Sequence, residues 1–291
     1  MMVKSISNEK LDKLEKLDLS KRVFNTETEA VMYSFDKDKV LKRFYNNEGT
    51  VFSNKLFTIN ELIDKKDVIG IRELVMPDRL VTVDKRVIGY LMPYVKGINF
   101  RDVIEDDYFS VSDKLNYLKQ IGIILERMKN VRNTTNINDF YLNDLHESNF
   151  MLNSDTNSIN VVDMDSCKIN GNLPFVSKYL STVGNLVYFS KYEQINQGFL
   201  AGGCFKPSEN TDLFCYTIMI LNYIFGIDVN RLSIHEFYAC MEYLYKQGIS
   251  DDLVSKLCYI YTEVDNINLY EYLEEFKYVV PKCRSYLKGN K

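Results

Sequence analysis

From Ala30 onward the apolar positions recur at every second residue: Val31, Tyr33 and Phe35. A charged turn follows, Asp36-Lys37-Asp38-Lys39, and then Val40-Leu41-Lys42-Arg43-Phe44. Two such runs around a short polar turn predict a β-hairpin. Before it, Leu11, Leu14 and Leu17 stand at helical spacing and predict a short leader helix over 8–19. After it, Phe52, Leu56, Ile59, Leu62 and Ile63 mark one side of a helix over 52–64. Strands are expected over 80–83 and 86–94, and Gly97 closes that segment. The pattern then turns helical, with Leu115, Leu118, Ile121, Leu125 and Met128 defining a helix over 112–131. Short strands at 150–152 and 159–162 flank a polar turn, and helices are expected over 212–225, 234–245 and 251–261. A strand-rich first third followed by a helix-rich remainder predicts an α+β protein in two lobes, 1–95 and 96–291.

Composition narrows the chemistry. The 36 Lys and Arg against 40 Asp and Glu give a net charge of −4, which argues against a nucleic-acid partner. Only two histidines, His146 and His235, are present, so a His-rich metal site cannot be built. No two of the six cysteines are closer than 11 residues, which leaves no CxxC element for zinc or redox work. They read as reduced thiols filling apolar space in a reducing cytoplasm. The first residues are charged throughout and lack a signal-peptide core. The longest apolar run, 217–227, is about half a bilayer span, so no membrane insertion is expected. No glycine precedes Gly49.

The densest chemistry lies in Leu142-Asn143-Asp144-Leu145-His146-Glu147-Ser148-Asn149, which leads into the apolar strand Phe150-Met151-Leu152. Ile159-Asn160-Val161-Val162 then runs into Asp163-Met164-Asp165-Ser166. Asn149 follows Asp144 by five residues, and Asp163 follows Asn149 by fourteen. A surface turn explains either residue alone. It does not explain their joint spacing with apolar strands between them.

This arrangement resembles the catalytic loop and metal-binding segment of the protein-kinase-like superfamily. The resemblance implies that Asp144 orients a substrate hydroxyl and that Asn149 and Asp163 hold Mg²⁺. Asp165 is then a second metal ligand or an acceptor for local backbone amides. In the same family a strand lysine holds the ATP phosphates and pairs with a helix glutamate. Val40-Leu41-Lys42 resembles that strand, and Glu61 lies nineteen residues further on, with Glu73 as the other candidate partner. The segment 86–100 resembles the last small-lobe strand entering the hinge. Adenine would then meet Pro93 C=O and Val95 N–H, with Met92 beside them and Met151 as its floor. Asp212 resembles a helix residue that bonds the catalytic-loop backbone, and Thr211 or Asp212 also reads as an N-cap.

The resemblance spans roughly 24–280. It implies a bilobal kinase-like fold, with a small antiparallel sheet plus one helix and a larger, mainly helical lobe. The implied function is ATP- and Mg²⁺-dependent transfer of the γ-phosphate to a hydroxyl. The motifs also depart from the family pattern. The phosphate-covering turn, Phe24-Asn25-Thr26-Glu27-Thr28-Glu29-Ala30, has no glycine, which keeps a pseudokinase interaction module in view. Asp-Met-Asp stands in place of Asp-Phe-Gly. Asn143 replaces the usual arginine, so no phosphorylation switch is expected there. His146 gives Asp-Leu-His-x-x-Asn, common in aminoglycoside and choline kinases. The longer stretch 161–175 is closer to bacterial Ser/Thr protein kinases and favours a protein acceptor.

Overall fold

The computed structural model describes residues 2–17, 30–172, 200–201, 204–205, 207–261 and 267–289. They divide into two compact units. The first takes the described residues of 1–103, 130–142 and 148–174, and the second those of 104–129, 143–147 and 175–291. The division is discontinuous and differs from a single boundary at 95/96. Asn149, Asp163 and Asp165 belong with the N-terminal sheet.

That sheet contains β1 (Val3–Ser5), β2 (Ala30–Asp36), β3 (Lys39–Phe44), β4 (Arg79–Val83) and β5 (Arg86–Pro93), in the order β1-β4-β5-β3-β2. All neighbours are antiparallel except β1, which lies parallel to β4. The two expected hairpins are present. Strand β1 was not expected, because three exposed residues carry no alternation to read. The leader helix is shorter than its leucine spacing suggests: α1 spans Asn8–Asp12, capped by Ser7, whose side chain accepts from Lys10 N. The chain then extends alongside β2, with Leu17 N donating to Met32 O and Ser34 N to Glu15 O. Sheet pairing thus takes residues that an isolated helix would have used. Residues 18 and 19 of the expected helix, and 24–29 of the glycine-less turn, lie outside the described residues.

Alternation along each strand builds two apolar layers, one per sheet face. Val40, Phe44, Leu80, Tyr90 and Met92 pack with Phe52, Ile59 and Ile63 of α2 (Gly49–Ile69). Their strand neighbours Leu41, Val81 and Leu91 pack on the other face with Ile6 and Leu11. α2 stops at Gly70, whose left-handed φ of 58° lets its N–H reach Lys66 O.

Helix α3 (Phe100–Glu105) and helix α4 (Val111–Thr134) follow, with five short strands: β6 (Gly97–Asn99), β7 (Phe140–Tyr141), β8 (Phe150–Asn153), β9 (Ser158–Val161) and β10 (Lys168–Ile169). β6, β8 and β9 form an antiparallel sheet in that order, and β7 pairs with β10. Val75 N donates to Val161 O and Val161 N to Glu73 O, which ties β9 to the segment leading into β4.

The second unit is built around α5 (Glu209–Phe225). Fourteen of its 17 residues are buried, so it is apolar on every side because other elements surround it. Ser208 and Thr211 form a reciprocal capping box at its start, so Ser208 takes the cap role expected of Thr211 or Asp212. Tyr216 Oη donates to Leu118 O at 2.7 Å. Helices α6 (Ile234–Lys246), α7 (Asp251–Cys258) and α8 (Val280–Gly289) complete the unit. Among the described residues no helix is long and apolar enough to cross a membrane. Cys167, Cys215, Cys240 and Cys283 are buried free thiols, and Cys258 is half-buried.

Candidate functional site

Lys42 sits mid-strand on β3. The two-residue period that sends Leu41 to one face sends Val40, Lys42 and Phe44 to the face covered by α2. Lys42 is therefore buried among apolar side chains, where an ammonium needs compensating charge. Two carboxylates supply it: Asp163, in direct contact, and Asp165, whose Oδ2 is 2.9 Å from Nζ. Tyr90 is the cross-strand partner of Lys42 and so faces the same way, and its hydroxyl donates to Asp165 Oδ2 at 3.2 Å. From α2, Lys55 Nζ reaches Asp165 Oδ1 at 3.3 Å.

The backbone that presents these carboxylates is held from several sides. Val162 N donates to Asn149 O at 2.8 Å, which fixes the exit from β9. Asp163 has φ 64° and ψ 42°, a left-handed turn uncommon for a residue with a Cβ. A single 3₁₀ turn, Met164–Ser166, follows and buries Met164 and Asp165. The stretch beyond is pinned to α2: Asn172 Nδ2 donates to Thr58 Oγ1, and Asn170 Nδ2 donates to Glu61 Oε2 at 2.6 Å.

The expected Lys42–Glu61 ion pair is not formed. Glu61 lies six residues beyond Lys55, nearly two turns along α2, and holds Asn170 instead. The alternative partner, Glu73, does not meet Lys42 either; its carbonyl is taken up by Val161 N and Asn160 Nδ2. Asp165, expected as a second metal ligand or as an acceptor for local backbone amides, is met by side-chain donors. Its carboxylate is fully buried, and both oxygens are engaged by Lys42, Lys55 and Tyr90.

Charge pulls these groups apart. Burial would lower the Lys42 ammonium, but Asp163 and Asp165 outweigh it and hold it well above the ordinary lysine value. Burial would raise Asp165, yet Lys42 and Lys55 hold it below the usual carboxylate range. Asp163 moves the other way, raised by burial and by the neighbouring Asp165 charge, with Lys42 opposing only in part. Burial and Asp165 keep the Tyr90 hydroxyl well above its ordinary value.

Asn149 is buried immediately before β8. Asn99 brackets it, donating from Nδ2 to Ser148 O at 2.9 Å and to Phe150 O at 3.1 Å. Met151 is buried on β8 opposite Asn99, and Met92 is buried near the end of β5, which Pro93 closes. Val95 and Val162 pack against the apolar cluster that contains Met92. The segment after β5 and the residue before Asp163 thus rest on one core.

In the second unit, Asn143 is left-handed at φ 61°. Its N–H donates to Asp212 Oδ1 at 2.8 Å, the backbone contact expected of Asp212. The next residue is Asp144, whose Oδ2 lies 3.6 Å from His146 Nε2, longer than a hydrogen bond.

Lys55, Tyr90, Asn99 and Asn170 were not singled out by the sequence. For Lys55 a signal exists: it lies between Phe52 and Ile59 on the apolar stripe of α2, where a lysine needs a buried partner. Among the described residues no three His, Cys, Asp or Glu side chains converge as a metal cage. No protein-family model matches the chain, and no curated protein matches it in sequence.

Proposed function

We propose that the chain is an ATP- and Mg²⁺-dependent phosphotransferase of the protein-kinase-like type, moving the γ-phosphate to a Ser or Thr hydroxyl of a protein. One observation supports this reading above the others. A buried strand lysine, Lys42, is held against Asp163, the carboxylate that follows Asn149 by fourteen residues. Chain segments more than a hundred residues apart supply that pair, which an Asp-rich surface turn does not require.

The residues fit the ion. The Asp163 side chain is partly exposed, whereas that of Asp165 is fully buried. Asp163 and Asn149 would hold Mg²⁺, with water completing the shell this ion prefers. Bound there, the ion neutralises charge on the phosphate oxygens. Lys42 leaves Asp163 to hold the α- and β-phosphates, and Asp165 keeps its ammonium oriented. Pro93 C=O and Val95 N–H would meet the adenine edge. Asp144 takes the proton of the attacking hydroxyl as its oxygen bonds to the γ-phosphorus. The bond to the bridging oxygen breaks and ADP leaves. Asp212 fixes the backbone just before Asp144, so the gain comes from positioning rather than from a reactive nucleophile. His146 beside Asp144 favours a second reading, a small-molecule acceptor of the aminoglycoside or choline kind.

Purified protein is incubated with γ-labelled ATP, Mg²⁺ and separate protein, aminoglycoside and choline acceptors. The expected result is label on protein, reduced at least a hundredfold by Asp144→Ala. Label on the small molecules alone shifts the assignment to the second reading. Mg-ATP binding without transfer, or transfer undiminished by Asp144→Ala, overturns it.

A further inference from the structure

We infer that Asp165 is the carboxylate that anchors the phosphate-binding lysine, and that Lys55 and Tyr90 are positioning residues acting through it. The inference rests on the phosphotransferase reading for its consequences, although the contacts themselves do not.

Lys42 has two carboxylate partners with different surroundings. The Asp163 side chain is 26% exposed, whereas that of Asp165 is 0% exposed. Asp163 can exchange Lys42 for a cation and water. Asp165 cannot, because it has no open edge and each oxygen already faces a donor: Oδ1 meets Lys55 at 3.3 Å, and Oδ2 meets Tyr90 at 3.2 Å and Lys42 at 2.9 Å. One carboxylate is available for exchange and the other is locked.

Lys55 explains the lock. It projects from the apolar stripe of α2 and is itself buried, a position that a lysine occupies only against a carboxylate. The usual polarity is thereby reversed. The helix supplies a cation, and the anion for Lys42 comes from the loop after β9. Glu61, the helix acid, is occupied by Asn170. Removing Lys55 leaves Lys42 to balance both Asp163 and Asp165, one positive charge short in this group. The ammonium is then drawn off its orientation, although Lys55 touches no nucleotide.

The test combines kinetics with a nucleotide-free measurement on the full chain. Lys55→Met and Tyr90→Phe are expected to raise KM for Mg-ATP at least tenfold and threefold respectively, while Glu61→Gln, which keeps an acceptor for Asn170, changes it less than twofold. Lys55→Arg restores KM to within threefold of wild type. In parallel, a melting-temperature cycle of Lys55→Met, Asp165→Asn and the double variant is expected to be non-additive, the double being no less stable than Lys55→Met alone. Additive melting temperatures, or a Glu61→Gln effect matching that of Lys55→Met, overturn the anchor. Absent turnover by wild type with a non-additive cycle overturns the phosphotransferase reading alone.

Discussion

Gly89 on β5 faces Arg43 across the ladder, and its backbone is in ordinary extended space, so spatial crowding rather than conformational freedom makes it a glycine. A Cβ built there stands 2.0 Å from Lys42 O and 2.9 Å from both Lys42 C and Arg43 Cα. All three are backbone atoms in a paired strand, so no side-chain rotation relieves the contact. Gly89→Ala must push β5 off β3 by roughly 1 Å or more, which costs about 1–3 kcal/mol of overpacking strain. Losing two ladder hydrogen bonds at about 1 kcal/mol each brings the total to about 3–5 kcal/mol. At about 2–4 °C per kcal/mol, the first unit is expected to melt about 6–20 °C lower. Circular dichroism melts measure this, and amide exchange over 39–44 and 86–93 localises it. The displaced pair, Lys42 and Tyr90, is the one that meets Asp165, so the proposed phosphate transfer is expected to fall further than stability alone requires. A Gly89→Ala protein melting within about 2 °C of wild type refutes the β3–β5 register and the placement of Lys42 built on it.

Asp212→Ala removes the buried acceptor of Asn143 N–H, and about 1–3 kcal/mol of stability should go with it. Because the next residue is Asp144, turnover is expected to drop more than tenfold at 25 °C, where the variant remains folded; an unchanged kcat contradicts the positioning role. Ser208→Ala breaks the capping box of α5 and should cost about 1 kcal/mol by urea denaturation, with kcat unaffected. Asp165 is held below the ordinary carboxylate range, so its stabilising contribution is full above about pH 4 and is lost as pH falls through its folded value. The stability gap between wild type and Asp165→Asn, measured by melts from pH 7 to pH 2, is therefore expected to narrow below about pH 4. A gap that widens in acid has the wrong sign.

Local periodicity determined most of the elements. The hairpin from Ala30 to Phe44, the strands ending at Pro93, the long α4 and the apolar α5 all lie where alternation or helical spacing placed them, because each buries a repeating apolar face. The strand position of Lys42 and the Asp212 contact with the loop backbone were legible for a similar reason: short segments with fixed geometry leave little freedom in spacing. Partner choice between distant segments was not legible. Lys42 and Glu61 stand at plausible positions on strand and helix, yet the turn of α2 that faces the sheet centre carries Lys55. A lysine there makes Asp165, and not Glu61, the buried counter-charge. The same holds for β1, whose three residues are strand only because β4 offers an edge, and for the leader segment, where pairing with β2 displaces helix beyond Asp12. Sequence fixes what one element buries of itself. Which charges meet in the interior follows from how the elements pack, since a buried ion survives only where another chain segment brings its partner.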